Sequence, residues 1–205
     1  MKKIIIIGAG AMGSAFGVPC VENKNDVTIV GTHLEDNLIK EIISKDHFHP
    51  GLKTMLPKEI KFVQFNELQP VLEKNVDLVV AGISSIGIEW FVKQISKNYK
   101  KKLPIVLLTK GLSIVDNELT TLSDKIQNLL EKDGHSEINI SAIKGPCLAA
   151  GLANKMRTGT VIANRNLKEC QSLKDMISTN YYSTEISEDI SGVELSGAIK
   201  NIYSM

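Results

Sequence analysis

The run Lys3-Ile4-Ile5-Ile6-Ile7, followed at once by Gly8-Ala9-Gly10-Ala11-Met12-Gly13, constrains this chain more than any other feature. Four consecutive isoleucines leave no polar alternation, which marks a strand buried on both faces of a parallel sheet. Ala11–Glu22 follows as a helix, and after a turn closed by Asp26 a second strand is predicted at Val27–Val30. In that setting each glycine of the GxGxxG has a physical role. Gly8 permits the tight turn, Gly10 lets the backbone approach a pyrophosphate, and Gly13 lets the helix pack closely on the strand. The helix start then offers N–H groups and a positive dipole end to phosphates. The unit reads as dinucleotide-binding. An acidic residue ending the second strand would take ribose hydroxyls and favour NAD. Here Gly31-Thr32-His33-Leu34 stands there, with Glu35 and Asp36 a little late. Thr32 and His33 tolerate a 2′-phosphate, so NAD and NADP both stay open.

The same alternation continues at intervals of roughly 25–30 residues. Further strands are predicted at Ile60–Val63, Asp77–Ala81, Ile105–Thr109, Ile138–Ile143, Thr160–Ala163 and Tyr181–Glu185. Helices are predicted at Leu34–Ser44, Gly87–Ser96, Asn117–Glu131 and Leu167–Ser178, and Lys45–Pro57 reads as a loop. This is an α/β chain with a Rossmann-type, doubly wound, mostly parallel sheet. Ser191–Met205 reads as one more helix without a Gly, Asn or Pro stop signal, as though cut in mid-helix, either by truncation of the gene or as a fragment of a longer protein.

Composition removes several function classes. At 205 residues, 43% hydrophobic, the chain can bury a sizeable core. Basic and acidic residues nearly cancel, 24 against 23, so neither nucleic acid nor an anionic membrane is an expected partner. No stretch approaches the ~18 apolar residues of a membrane span. Met1–Cys20 imitates a secretory signal, but its glycines would break the apolar helix and Pro19 suits a cleavage site poorly. Cys20, Cys147 and Cys170 are scattered and form no CxxC pair, which fits a reduced interior. A cytoplasmic location is expected.

Open α/β sheets bind ligands at the carboxyl ends of their strands, and three of those ends carry small or polar residues. Ala81 runs into Gly82-Ile83-Ser84-Ser85, while Thr109-Lys110-Gly111 and Lys144-Gly145-Pro146 each place a lysine after an apolar strand. Taken singly, each lysine reads as a solvated strand terminus; together they point to an anionic or carbonyl substrate. Lys200 lies in the last helix beside Ser196, Gly197 and Asn201; a lysine on such a small-residue stripe can protonate a carbonyl being reduced, though taken alone it reads as an exposed helix lysine. The bland readings are a solvated histidine pair at His47 and His49, helix-to-sheet packing for Trp90, and a solvated helix exit for the Lys97–Lys102 cluster. Cys147 reads as a substrate neighbour without a partner base. No metal is expected.

Four segments, GAGAMG at 8–13, TKG at 109–111, GPCLAAG at 145–151 and GVELSGAIKN at 192–201, resemble in order and spacing NAD(P)-dependent glycerol-3-phosphate dehydrogenase. The loop from His49-Pro50-Gly51-Leu52 to Leu56-Pro57 is similar too. The resemblance implies that Lys200 is the catalytic lysine, protonating the carbonyl oxygen as hydride arrives. It implies substrate contacts at Lys110, Gly145, Cys147 and Asn201. Cofactor contacts, to NAD or NADP, are implied at Gly8, Gly10, Ala11, Met12, Gly13, Thr32, Lys110 and Ala149. Two positions depart from the family, which commonly has Ser or Thr where Cys147 stands and Glu where Gly151 stands. Family members also continue into an α-helical domain that grips the substrate phosphate. The expected division is therefore a Rossmann-like domain over 1–188 and the start of a truncated helical domain over 189–205. The implied reaction interconverts dihydroxyacetone phosphate and glycerol 3-phosphate, a phospholipid precursor, with a homodimer expected of the full-length form. The competing readings are an NAD(P)-binding module without turnover, and a related ketopantoate or hydroxyacid reductase.

Overall fold

Ile4 and Ile6 pack on one face of the central sheet and Ile5 and Ile7 on the other, which is why the first strand shows no polar alternation. The computed structural model describes residues 1–98, 104–115, 117–135 and 139–203, with side chains as far as Lys200. Within them β1 (Lys3–Ile7), β2 (Asp26–Val30), β5 (Lys61–Val63), β6 (Leu78–Ala81), β7 (Ile105–Leu107) and β10 (Ile140–Lys144) form the parallel part of the sheet. Their spatial order is β5-β2-β1-β6-β7-β10, the arrangement of two mononucleotide-binding halves meeting between β1 and β6. β11 (Thr158–Ala163) adds antiparallel to β10, and β12 (Tyr182–Ser187) pairs parallel with β11.

Helices cover both faces. On the Ile4 and Ile6 side lie α1 (Ala11–Glu22), α2 (Asp36–Ser44), α6 (Ala149–Ala153) and α7 (Leu167–Ile177), contributing Phe16, Ile39, Leu152 and Leu173 to that core. On the Ile5 and Ile7 side lie α3 (Leu68–Leu72), α4 (Ile88–Asn98) and α5 (Leu122–Lys132), contributing Leu72, Phe91 and Ile126. The last helix, α8 (Ile190–Tyr203), seats Ile190 and Val193 against Ala142 of β10 and Ala163 of β11. All three cysteines are buried and free.

The predicted mostly parallel sheet is present, with differences at its margins. The segment expected to start a helix at Asn117 instead forms a hairpin, β8 (Leu112–Val115) against β9 (Glu118–Thr121). The helix starts at Leu122 because Thr121 caps it, its hydroxyl accepting the Asp124 N–H at 3.2 Å. The expected loop at 45–57 contains a short pairing of β3 (Phe48–His49) with β4 (Thr54–Met55). Ile138, the cluster residues Lys100, Lys101 and Lys102, and Met205 lie outside the described residues.

Candidate functional site

Strand order reverses between β1 and β6, so the backbones leaving these two strands meet at the sheet's carboxyl edge. Their approach leaves no room for side chains. Gly8 has φ +112°, and a Cβ on it would lie 2.5 Å from the Gly82 carbonyl oxygen. A Cβ on Gly13 would lie 2.2 Å from the Gly8 carbonyl oxygen. Gly10 is different: a Cβ there would meet only the Glu35 carboxylate, at 3.7 Å. It opens α1 with no side chain capping the helix, so the first-turn N–H groups face the space above Gly10. Uncapped N–H groups at a helix start are the groups to which anions bind.

Three side chains hold the turn around Ala9. The Ala9 N–H donates to Glu35 Oε2 at 3.0 Å, and the Ala9 carbonyl accepts the Ser14 hydroxyl at 2.9 Å. The same carbonyl lies 2.9 Å from His49 Nε2. His49 Nδ1 accepts the Leu52 N–H at 3.1 Å, so Nε2 carries the proton and donates to Ala9. At 2% exposure, His49 is a buried brace, not the solvated loop histidine its sequence context predicts. Glu35 Oε2 also accepts the Thr32 N–H at 2.8 Å. A glutamate that reads as late in sequence thus returns to the end of β2, between Thr32 and the glycine turn. Just beyond, Trp90 packs at ring-centroid distances of 5.1 Å from His33 and 5.5 Å from Phe65. Its role is therefore wider than helix-to-sheet packing.

The lysine-bearing strand ends come together further along the same edge. Lys110 reaches across from β7, its Nζ donating to the Gly145 carbonyl at 3.3 Å. Gly145 must be glycine, because a Cβ there would lie 2.7 Å from the Gly159 carbonyl oxygen. On one side of Gly145 a small cleft joins Met12, Lys110 and Cys147, with Tyr182 at its wall. On the other side a groove of about 430 Å³ is lined by Lys144, Pro146, Gly197 and Lys200. Burial, and then the positive charge of Lys200, hold the Lys110 ammonium below the usual lysine range, with Cys147 opposing. Burial also pushes the Cys147 thiol up, as suits a neighbour of the substrate more than a nucleophile. Ala149 begins α6 and packs half-buried against the core that α1 also covers. The Asn201 side chain lies outside the described residues.

Lys144 departs from its expected role as a solvated terminus. Its side chain is 2% exposed and lies 3.8 Å from Glu194 of α8, itself 0% exposed. Burial lowers its pKa to about 8, with Glu194 opposing and Lys110 adding to the fall. The sequence analysis places none of Glu35, His49 and Glu194 among the site residues. Each carried a signal in the sequence: Glu35 as an acid just past the second strand, His49 as the first residue of the His-Pro-Gly loop, and Glu194 as an acid inside a helix of small residues.

Strand order, glycine turn and lysine-lined edge together define a Rossmann-type dinucleotide-binding domain. The family described as NAD-dependent glycerol-3-phosphate dehydrogenase N-terminus matches residues 3–170, and the chain belongs to that family. It is 35% identical over 202 residues to the NADP(+)-dependent glycerol-3-phosphate dehydrogenase of Archaeoglobus fulgidus, covering 98% of this chain and 58% of that protein. It is 29% identical over 206 residues to a glycerol-3-phosphate dehydrogenase [NAD(P)+] of Mesoplasma florum, covering all of this chain and 59% of that one. The fold matches the structure of a Plasmodium falciparum glycerol-3-phosphate dehydrogenase with TM-score 0.84 at 22% identity, over 98% of this chain and 56% of that one. The chain thus spans somewhat under three fifths of the length of these relatives.

Two outcomes follow from this geometry. The Glu35 carboxylate stands beside Thr32 at the end of β2, the place where dinucleotide folds receive the adenosine ribose; a 2′-phosphate there would meet like charge, so Glu35→Ala is expected to raise the NADPH-to-NADH affinity ratio about tenfold, or roughly 1.4 kcal/mol. Parallel titrations with the two cofactors check this; an unchanged ratio contradicts it. The second outcome concerns pH. Lys144 is a base whose folded pKa of about 8 lies below its ordinary 10.5. Between those values the unfolded chain holds a proton that the folded chain has released, so this group makes stability rise with pH there. The rise amounts to about 3 kcal/mol at most. Buried Cys20 and Tyr182, raised by burial, act in the opposite sense. The readout is therefore urea stability of the wild type minus that of Lys144→Met/Glu194→Gln, a difference that should grow from pH 8 to 10.

Proposed function

We propose that this chain is the cofactor-binding part of a glycerol-3-phosphate dehydrogenase, interconverting dihydroxyacetone phosphate and sn-glycerol 3-phosphate with NAD or NADP. One observation carries the reading. The glycine turn that fits a pyrophosphate and the two lysines flanking Gly145 lie on one sheet edge, so a dinucleotide laid along it would end beside the lysines. Family membership and the relatives' activity support it. The cofactor, when bound, supplies or accepts the hydride.

The residues of this chain do the rest. Gly8, Gly10 and Gly13 bring the backbone against the pyrophosphate, and the first turn of α1, at Ala11 and Met12, donates to it. Thr32 marks the adenosine end, and Ala149, at the start of α6, is assigned to the cofactor by its likeness to the family. Lys110 contacts both cofactor and substrate, while Gly145 and Cys147 line the substrate position and Asn201 is assigned to the substrate by likeness to the family alone. The positive charges of Lys110 and Lys200 gather a phosphorylated, anionic substrate. In the reductive direction Lys200 holds a proton at its ammonium and delivers it to the carbonyl oxygen as that oxygen becomes an alkoxide. In the oxidative direction it takes the hydroxyl proton back.

In this reading residues 1–188 form the dinucleotide domain and 189–205 begin the helical substrate domain, which in the whole protein would hold the substrate phosphate. The whole protein would act as a cytoplasmic homodimer in supplying a phospholipid precursor. No helix among the described residues is long and apolar enough to cross a membrane.

The test is NADH and NADPH oxidation with dihydroxyacetone phosphate, run beside cofactor binding. Lys200→Ala is expected to lower turnover by about 10²–10⁴-fold, the usual contribution of a positioned acid, while cofactor affinity stays within a few-fold. Equal turnover in variant and wild type would remove Lys200 from the reaction. Cofactor binding by a wild type that never turns over would leave a binding module.

A further inference from the structure

The Lys144–Glu194 pair belongs to neither the predicted substrate set nor the predicted cofactor set, yet it touches every element that carries a lysine of the site. Lys144 is the last residue of β10, and its Nζ donates to the Thr109 carbonyl at 2.7 Å and the Leu107 carbonyl at 3.3 Å. Lys110 spans the same gap in the other direction, to the Gly145 carbonyl. Thr109 precedes Lys110 and Gly145 follows Lys144, so each lysine grips the backbone next to the other. The ends of β7 and β10 are laced together.

Glu194 extends this lacing to the helices. One of its oxygens faces Lys144 at 3.8 Å, and the other accepts the Ser123 N–H at the start of α5 at 3.1 Å. Three residues along α8, Gly197 lies on the Lys144 stem: a Cβ on it would sit 3.1 Å from Lys144 Cβ and Cγ and 3.2 Å from Cδ. The stem thus sets how closely α8 approaches the sheet, and Glu194 sets its rotation. Lys200 is a further three residues on, along the same helix stripe. A buried ion pair is a poor source of stability compared with apolar residues of similar volume, which leaves placement as the reason for this one.

We propose that Lys144 and Glu194 are positioning residues that fix the seat of α8 on the sheet edge and thereby the approach of Lys200 to Lys110 across Gly145. The proposal rests on the reading of those two lysines as the substrate-facing pair. Lys110 itself reports the approach. The groups acting on it are Lys200 from α8 and Cys147 from the loop after β10, and Lys144 from β10 is in turn lowered by Lys110. After burial, the charge of Lys200 is the largest influence holding Lys110 down.

The experiment is an NMR titration of the Lys110 side chain in the 205-residue chain with isotope-labelled lysine. It compares wild type, Lys200→Met, Lys144→Met/Glu194→Gln and the triple variant. In the double variant the new glutamine keeps an acceptor for the Ser123 N–H, and the new methionine keeps most of the lysine stem. Lys200→Met should raise Lys110 toward the ordinary lysine range. Lys144→Met/Glu194→Gln should raise it too, and adding Lys200→Met to that pair should then raise it less than it does in the wild type. A folded Lys144→Met/Glu194→Gln chain in which Lys110 titrates as in the wild type, and Lys200→Met keeps its full effect, overturns the proposal. If that variant does not fold, Gly197→Val replaces it: it lifts α8 off the stem and keeps both charges. A rise in Lys110 is again expected, and no rise again overturns the proposal. NADH and dihydroxyacetone phosphate binding, measured on the same samples, keeps the two readings apart. Loss of binding with the titration pattern intact would remove the functional reading and leave the placement of α8 standing.

Discussion

Contact of backbone on backbone at the switch point is the constraint on which the rest depends. Gly13 rides on the carbonyl of Gly8, and Gly8 rides on that of Gly82, at separations where no Cβ fits. This locks the start of α1 between the ends of β1 and β6. The helix N-terminus is then aimed into the crevice with its N–H groups uncapped, which is the arrangement that anions seek. Ala9 is held from three directions, by Ser14, Glu35 and His49. The turn is therefore in place before any ligand arrives, and little ordering remains to be done on binding.

The opposite end of the same edge is governed by charge. Three lysines, 110, 144 and 200, converge on Gly145, which itself tolerates no side chain. Mutual repulsion among them is moderated by burying one of the three against Glu194. The buried lysine thus organises the sheet edge at which Lys110 meets the Gly145 carbonyl.

Much of this was legible in the sequence, and what was not has definite physical causes. Four isoleucines followed by GxGxxG identify strand, turn and helix because both the burial pattern and the glycine spacing are local. The lysines after β7 and β10 were legible by position, since strand ends define the ligand edge. That Lys144 is buried was not legible, because burial depends on Glu194, which folding alone brings beside it. His49 was misjudged for the same reason: its partner, Ala9, is 40 residues away. Glu35 seemed too late to serve β2, yet one turn of chain carries its carboxylate back to Thr32 and Ala9. The hairpin of β8 and β9 stands where a helix is expected from Asn117, because the working cap is Thr121. Helices α3 and α6, five residues each, are too short for periodicity to reveal them.

The most direct test of the account is whether the folded chain takes up a dinucleotide at the glycine turn. Trp90 is the sole tryptophan and sits with His33 and Phe65 at the adenosine side of the crevice, so its emission reports occupancy through energy transfer to a reduced nicotinamide. Titration with NADH and NADPH is predicted to give saturable quenching in the wild type and none in a folded Gly13→Ala chain, whose new methyl meets the Gly8 carbonyl. A folded wild type whose Trp90 emission does not respond to either cofactor at concentrations on the order of 1 mM would contradict the account.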